Sequence, residues 1–185
     1  DRAIEAARSA LAQACDASFE LVLVDNDPVG SALEPLRALS DQRVVVIHEP
    51  CAGIANARNA GLRAARGEII AFLDDDEIAP SDWLTELLRV QREGRADVVF
   101  GPVRTKLAAK PRAHEAYFSA FFAREPDHAE GVIDIFYGCG CSLVRRSALP
   151  SAEPFSIERN EIGGEDDLLF QAMEAAGARF AWAPN

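Results

Sequence analysis

Three short acidic clusters are the parts of this sequence whose residue types and spacing could carry chemistry. They lie at residues 25–27, 74–77 and 165–167. Within the second cluster, Asp74 and Asp76 are separated by one residue. In an extended segment their carboxylates therefore point to the same side, as two ligands of one cation would. Carboxylates favour a hard ion, Mg²⁺ or Mn²⁺, and Mg²⁺ also takes substrate phosphate oxygens. The spacing therefore predicts a divalent-metal site that could bridge to a diphosphate; a solvated turn before a helix is the alternative.

The third cluster follows two glycines, Gly163 and Gly164, and opens a predicted helix. The dipole at a helix N-terminus favours ionised carboxylates there. An ionised carboxylate in a cleft can accept a proton from a hydroxyl nucleophile, whereas simple capping of the helix would explain the same acids. Position alone does not choose between these two roles.

Apolar runs directly before the first two clusters predict the strands that position them. Residues 69–73 are all apolar and too few for a free-standing helix, which is typical of a strand buried on both faces. Residues 19–24 form a similar run that stops at Asp25. Because ligands bind at the carboxyl ends of the strands in an open parallel sheet, Asp25 and Asp74 are expected to line one crevice.

The remaining periodicity predicts an α/β fold. Helical spacing of apolar residues predicts helices over residues 2–14, 33–39, 54–66, 81–94 and 165–176. Further apolar runs predict strands over residues 43–47, 97–101, 133–137 and 141–144. This alternation is typical of a mostly parallel central sheet with right-handed crossovers and helices on both faces, and the 185 residues are expected to form one domain.

The segment from residue 102 to residue 131 lacks a clear period. It contains four aromatic residues at helical spacing, Tyr117, Phe118, Phe121 and Phe122. We expect these residues to lie on a helix packed into the core. The alternative is an exposed surface that faces an acceptor molecule or a membrane. A basic group precedes the aromatic residues: Arg104, Lys106, Lys110 and Arg112.

Composition argues against several classes of partner. The chain has 19 basic and 30 acidic residues, so its net charge is −11. This charge disfavours electrostatic binding of nucleic acid or anionic lipid over a broad surface. No apolar run approaches the roughly 20 residues that cross a bilayer, and the four cysteines are too few for a disulfide framework. We expect no nucleic-acid partner, no transmembrane segment in this chain, and a cytoplasmic location, free or peripheral at the inner face of the membrane.

Taken in order, segments of this chain resemble those of the family 2 glycosyltransferases, which have the Rossmann-like GT-A nucleotide-sugar-binding fold. The similar segments are residues 19–28, 53–61, 72–76, 82–84, 140–149 and 164–168. They resemble, in turn, the family's Asp-containing nucleotide loop, its Ala-Arg-Asn helix, its Asp-x-Asp motif, the segment that follows that motif, the acceptor-side strand, and the Glu-Asp motif that carries the base in inverting members. A lone Asp-x-Asp would be a weak signal, but six segments in the right order are specific.

The resemblance implies roles for the residues on the donor side. Asp25 or Asn26 would contact the nucleobase. Asp74 and Asp75 would contact the ribose and phosphate region, and Asp76, together with Asp74, would bind Mg²⁺ or Mn²⁺. The expected donor is a nucleotide-diphosphate sugar.

On the acceptor side, the resemblance implies that Glu165 helps to hold the acceptor and that Asp166 removes its proton. The expected reaction is attack by an acceptor hydroxyl on the anomeric carbon of the donor, with inversion. The acceptor would be a glycan, a lipid-linked molecule or a small molecule.

Two departures from the family pattern stand out. The family normally begins with an apolar strand and a short polar loop, whereas this sequence starts in the following helix. Members also often carry a histidine soon after the strand that residues 179–183 resemble, and this sequence stops at residue 185. The sequence is therefore expected to be a fragment, truncated at both ends.

Two alternatives remain open at this point. A haloacid-dehalogenase-like phosphotransferase also places Asp-x-Asp after an apolar strand, but it needs a later lysine motif, and only Lys106 and Lys110 follow the acids here. A non-catalytic sugar-nucleotide-binding module would bind a nucleotide without turnover.

Overall fold

A computed structural model describes residues 2–107 and 113–184, so Lys110 and Arg112 of the basic group lie outside the described residues. The helices are α1 (Arg2–Leu11), α2 (Leu33–Arg37), α3 (Ile54–Ala64), α4 (Trp83–Gly94), α5 (Glu115–Phe122) and α6 (Glu165–Ala175). The strands are β1 (Leu21–Asp25), β2 (Val44–His48), β3 (Ile69–Phe72), β4 (Val98–Phe100), β5 (Gly131–Ile133), β6 (Ser142–Arg145) and β7 (Phe180–Trp182). Among the helices of these described ranges, none is long and apolar enough to span a bilayer.

The α/β class predicted from the sequence is confirmed, and the strands form two sheets. β1 and β2 pair in parallel, while the other strands form a sheet in the order β3-β6-β4-β7-β5. In that sheet β3, β4 and β7 run in one direction, and β6 and β5 run against it. The larger sheet is therefore mixed rather than mostly parallel, because β6, between β3 and β4, and β5, at the edge, run against their neighbours.

Helices cover both faces of the five-stranded sheet, as predicted. Alternate residues of β4 point to opposite sides, as the period of a strand requires: Val98 and Phe100 join one buried cluster and Val99 joins the other. α3 and α6 supply side chains to the first cluster, and α4 supplies side chains to the second. The faces of α3 and α6 that carry the candidate site are thus fixed by packing onto this sheet.

β3 is less buried than its apolar sequence predicted. Only Ile70 is buried, and Ala71 is exposed. The reason is a cleft of about 1180 Å³ between β1 and β3, lined by both strands and by α1 and α3. In the described part of the chain, β1 is paired in its sheet with β2 alone and β3 with β6 alone, so each of the two strands that line the cleft has one unpaired edge. At the carboxyl ends of the two strands, the cleft is lined by the acids that follow them.

The helix that carries the aromatic residues is the largest departure from expectation. α5 was predicted to pack into the core, but none of its residues is buried. Its apolar side chains lie on the surface instead, in contact mainly with one another. An exposed surface, as in the alternative, therefore describes α5 better, and that this surface faces the acceptor or a membrane stays a prediction.

Candidate active site

The acids after β3 form a tight turn rather than an extended segment. The N–H of Glu77 donates to the carbonyl of Asp74 at 3.1 Å, and the N–H of Asp74 donates to Oε2 of Glu77 at 3.1 Å. An extended backbone was the reason for expecting Asp74 and Asp76 on the same side, and that reason is wrong. Asp74 and Glu77 face the same backbone, whereas the Asp76 side chain is 58% exposed and lies 3.8 Å from Arg2. The metal-binding role of Asp76 stays a prediction.

Gly140 lets the two carboxylates of this turn approach the backbone of the neighbouring loop. A Cβ at this position would lie 2.5 Å from Oδ2 of Asp74 and 3.2 Å from Oε1 of Glu77. Since real Cβ atoms do not come so close, a side chain at residue 140 would push the carboxylates away. The Asp74 and Glu77 carboxylates are therefore packed against residues 138–140, in the loop that leads into β6.

Asp166 is held by the same loop. It lies in the first turn of α6, which begins after Gly163 and Gly164, both in the left-handed conformation that glycine adopts without strain. Its Oδ2 accepts the N–H of Cys139 at 3.0 Å, and its Oδ1 accepts the N–H of Asp167 at 3.0 Å. Each oxygen keeps a further lone pair, so the carboxylate is oriented by two backbone donors and can still accept a proton.

Arg58 joins the acidic clusters and was given no role from the sequence. Its guanidinium pairs with Glu165, lies 3.6 Å from Oδ1 of Asp74 and lies 3.9 Å from Oδ2 of Asp166. The Arg58 side chain is 11% exposed and rests on the ring of Phe155, 5.4 Å from its centroid. One nearly buried cation therefore faces three carboxylates from two distant parts of the chain.

A sequence signal for Arg58 does exist. It lies three residues after Ala55 and four before Leu62, and both of these are buried, so helical geometry places Arg58 on the inward face of α3. A charge on an inward face needs a partner of opposite charge, because an isolated buried ion is very costly. Together with the predicted Glu-Asp motif, this position could have been identified as an ion pair.

Glu165 is placed differently from its predicted role. Its side chain is 3% exposed, and its carboxylate forms an ion pair with Arg58. A contact between Glu165 and the acceptor therefore stays a prediction. In this structure Glu165 holds the guanidinium that faces Asp74 and Asp166.

The predicted nucleobase residues lie at the end of β1 and have structural partners. Both carboxylate oxygens of buried Asp25 accept backbone N–H groups, from Asp27 at 3.0 Å and from Ala32 at 2.8 Å. The Asn26 side chain accepts the N–H of Gly53 at 2.7 Å, which fixes the start of α3 and hence the helix that carries Arg58. Their contact with a nucleobase stays a prediction.

Two connected hollows bring most of the predicted residues together. A cavity of about 780 Å³ is lined by Arg58, Asp74, Glu77 and Asp166 on one side and by residues 120–126 on the other. The cleft between β1 and β3 shares Arg58 and Asp74 with this cavity, and its lining also includes the predicted donor-side residues Asp25, Asn26, Asp75 and Asp76. The predicted donor and acceptor residues thus meet at Arg58 and Asp74.

The charge in this region is unbalanced toward the negative. Partial removal of water raises the pKa of Asp74, and so do the nearby carboxylates of Asp75, Asp76 and Asp166, against the lowering effect of Arg58. The pKa of Glu77 is raised first by burial and then by Asp74. Because the oxygens of Asp74 and Glu77 repel each other, a cation between them would be favoured. In the described ranges, no three His, Cys, Asp or Glu side chains stand close enough to hold a metal ion by themselves, so a cation here would need further oxygens from water or substrate.

Comparison with known proteins identifies the family of this chain. Residues 2–151 match the model of glycosyl transferase family 2. The succinoglycan biosynthesis protein ExoM of Rhizobium meliloti (strain 1021) is 36% identical over 173 residues, which are 91% of this chain and 55% of that protein. The UDP-Glc:alpha-D-GlcNAc-diphosphoundecaprenol beta-1,3-glucosyltransferase WfgD of Escherichia coli is 33% identical over 92 residues, which are 49% of this chain and 35% of that protein.

Among solved structures, S. aureus TarS 1-349 in complex with UDP superposes with a TM-score of 0.69 at 17% identity, covering 97% of this chain and 53% of that one. At this identity the likeness shows the fold alone, and it agrees with the GT-A fold expected from the sequence. The chain spans about half the length of ExoM and of TarS 1-349.

Proposed function

Because this chain belongs to glycosyl transferase family 2, we propose that it carries the active site of an inverting, divalent-metal-dependent glycosyltransferase. The observation that supports this most strongly is the position of Arg58, which faces Asp74 of the Asp-x-Asp motif and Asp166 of the Glu-Asp motif at once. One residue that the resemblance assigns to the donor, Asp74, and one that it assigns to the acceptor, Asp166, therefore border the same cavity.

In the proposed reaction, an acceptor hydroxyl in this cavity attacks the anomeric carbon of the donor. A bond forms from the hydroxyl oxygen to that carbon, while the bond from the carbon to the diphosphate oxygen breaks and the diphosphate leaves with the electron pair. Asp166 accepts the hydroxyl proton, as a positioned general base does. Glu165 holds Arg58, and Arg58 faces both Asp166 and Asp74, so this pair would help to keep the two carboxylates in position for the reaction.

The donor set of the turn fits a hard cation. Asp74, Asp76 and Glu77 supply carboxylate oxygens, which Mg²⁺ and Mn²⁺ prefer, and such ions fill their remaining positions with water and phosphate oxygens. We propose that Asp74 and Asp76, as predicted, hold the ion, and that water and phosphate oxygens complete its coordination, since no three acids of the described ranges stand close enough to hold it alone. When bound there, the ion would neutralise charge on the leaving diphosphate.

The donor and acceptor classes follow from the relatives. The name of WfgD specifies UDP-Glc and a lipid-diphosphate acceptor, and TarS structures contain UDP and UDP-GlcNAc. We propose a nucleotide-diphosphate sugar as donor, with UDP-sugars to be tested first, and a lipid-linked or polysaccharide acceptor. The family match favours this function over the phosphotransferase alternative. Turnover would separate it from a binding module.

The donor side is tested by thermal unfolding of the full-length protein with nucleoside diphosphates. We expect UDP to raise Tm when Mn²⁺ is present and much less when EDTA replaces the metal, since a ligand at about 100 times its Kd adds about 2.7 kcal/mol to stability. Asp76→Ala and Asp74→Asn should each remove most of the metal-supported increase. Asp16→Ala, which changes an exposed acid outside both hollows, is the matched control. An increase of the same size in EDTA, or in both site variants, would contradict metal-dependent donor binding.

A further inference from the structure

α5 exposes a continuous aromatic surface, made of Tyr117, Phe118, Phe121 and Phe122. The two outermost residues, Tyr117 and Phe121, are 62% and 66% exposed. Their rings stack with centroids 5.9 Å apart, and Phe118 and Phe122 meet them edge to face. Helices that are apolar on most sides are normally buried, so this aromatic surface is one that a binding partner would cover.

The aromatic surface continues directly into the candidate active site. Phe121 and Phe122 line the same cavity as Asp74 and Asp166. Just after α5, Arg124 donates to the carbonyls of Gly101 at 2.9 Å and Gly138 at 2.8 Å. Because Gly138 belongs to the loop that also holds Asp166, the aromatic surface has a fixed position relative to that carboxylate.

Basic residues flank the aromatic surface on an otherwise acidic chain. Thr105 donates from its hydroxyl to the carbonyl of Ser119 at 2.8 Å, which places its neighbours Arg104 and Lys106 beside α5. Both are exposed, and Arg104 pairs with Glu125 at 3.0 Å. Within the described ranges, Lys106 has no ion-pair partner. The positive charge of Lys106 therefore remains unpaired within the described ranges, next in sequence to the residue that contacts α5, although the net charge of the chain is −11.

We propose that the aromatic surface and Lys106 bind the carrier of the acceptor, a long apolar chain joined through phosphate to the acceptor sugar. The apolar chain would cover the rings of α5, the phosphate would lie near Lys106, and the sugar would enter the cavity beside Asp166. This inference rests on the proposed function and specifies its acceptor. A bare glycan would leave most of the apolar surface uncovered, and a second copy of the chain would block the cavity that Phe121 and Phe122 line.

The test uses farnesyl diphosphate as a soluble probe that combines an apolar chain with a phosphate group. Calorimetric titration of the full-length protein in EDTA should show it binding at least about tenfold more tightly than inorganic diphosphate, because the rings gain apolar contact. Tyr117→Ser and Phe118→Ser change rings outside the cavity lining and should each weaken this binding about tenfold. Lys106→Gln should weaken it severalfold. Val29→Ser, at an exposed apolar residue away from both hollows, should have no effect.

Three results would overturn the proposal. The first is equal affinity for farnesyl diphosphate and inorganic diphosphate, and the second is that the Tyr117→Ser and Phe118→Ser variants bind farnesyl diphosphate as tightly as the unchanged protein does. The third is a concentration-dependent dimer that Tyr117→Ser dissociates. Binding to neutral phosphatidylcholine vesicles that Tyr117→Ser abolishes, without an effect on the probe, would assign the surface to a membrane instead. UDP binding with Mn²⁺ is measured on the same samples. Its loss would count against the proposed function, whereas its retention with failed probe binding would count against this inference alone.

Discussion

Asp166→Asn is expected to lower the rate of sugar transfer at least about 100-fold, the usual effect of removing a general base. The amide has nearly the shape of the carboxylate and can still accept the N–H of Cys139, which Asp166 accepts at 3.0 Å. It cannot take a proton from the acceptor. Binding of a nucleoside diphosphate with Mn²⁺ should therefore stay within about twofold, since only the acceptor-side base has changed. The measurements are turnover of the full-length protein and thermal unfolding with UDP.

The neighbouring acid provides the control for this variant. Asp167 lies in the same first turn of α6 but is exposed, and it does not line the cavity. Asp167→Asn removes the same charge from the same helix end and should leave transfer nearly unchanged. If both variants lost activity equally, the helix end as a whole would matter, and Asp166 would not be the base.

Arg58→Ala is expected to cost about 3–5 kcal/mol of folding free energy, because it leaves the buried carboxylate of Glu165 without its partner. For a domain of this size that corresponds to a fall in Tm on the order of 10 °C. Transfer should also be lost, since the same guanidinium faces Asp74 and Asp166. Thermal unfolding and turnover of the full-length protein measure the two effects.

Two further variants separate charge from packing in this result. Arg63→Ala removes an arginine from the same helix that also has acidic partners, Glu153 and Glu49, but that side chain is 48% exposed, so the expected loss is below about 1 kcal/mol. In the double variant Arg58→Met with Glu165→Leu, no charge remains buried, and most of the stability should return while transfer stays absent. Equal losses for Arg58→Ala and Arg63→Ala would mean that the buried ion pair has no special weight.

The sequence predicted well those features that follow from local periodicity. The boundaries of α6 match within one residue, because its leucines, alanine and methionine repeat at helical spacing after two glycines. The apolar run before Asp74 correctly predicted β3 and the acids at its end. Most of the candidate site could therefore be predicted as acids that follow predicted strands or begin a predicted helix.

Other features depended on contacts between distant segments and could not be read from local patterns. β6 lies between β3 and β4 only because the chain returns after a long excursion, and this makes the larger sheet mixed. The Asp74–Glu77 turn is closed by hydrogen bonds that no spacing rule specifies. α5 has the composition of a core helix, and its exposure became evident only from the contacts that attach it to the fold, those of Thr105 with the middle of the helix and of Arg124 just after its end.

The configuration of the product's anomeric carbon tests the central claim most directly, because it reports how the cavity that contains Asp74, Arg58 and Asp166 performs the transfer. NMR of the sugar linkage, made by the full-length protein from the donor that the unfolding screen identifies, gives this configuration without further assumptions. Inversion relative to the donor is expected, since Asp166 in its proposed role would activate the acceptor for a single displacement. Retention would require either a second displacement or attack from the face that the diphosphate leaves, and would contradict the role given to Asp166.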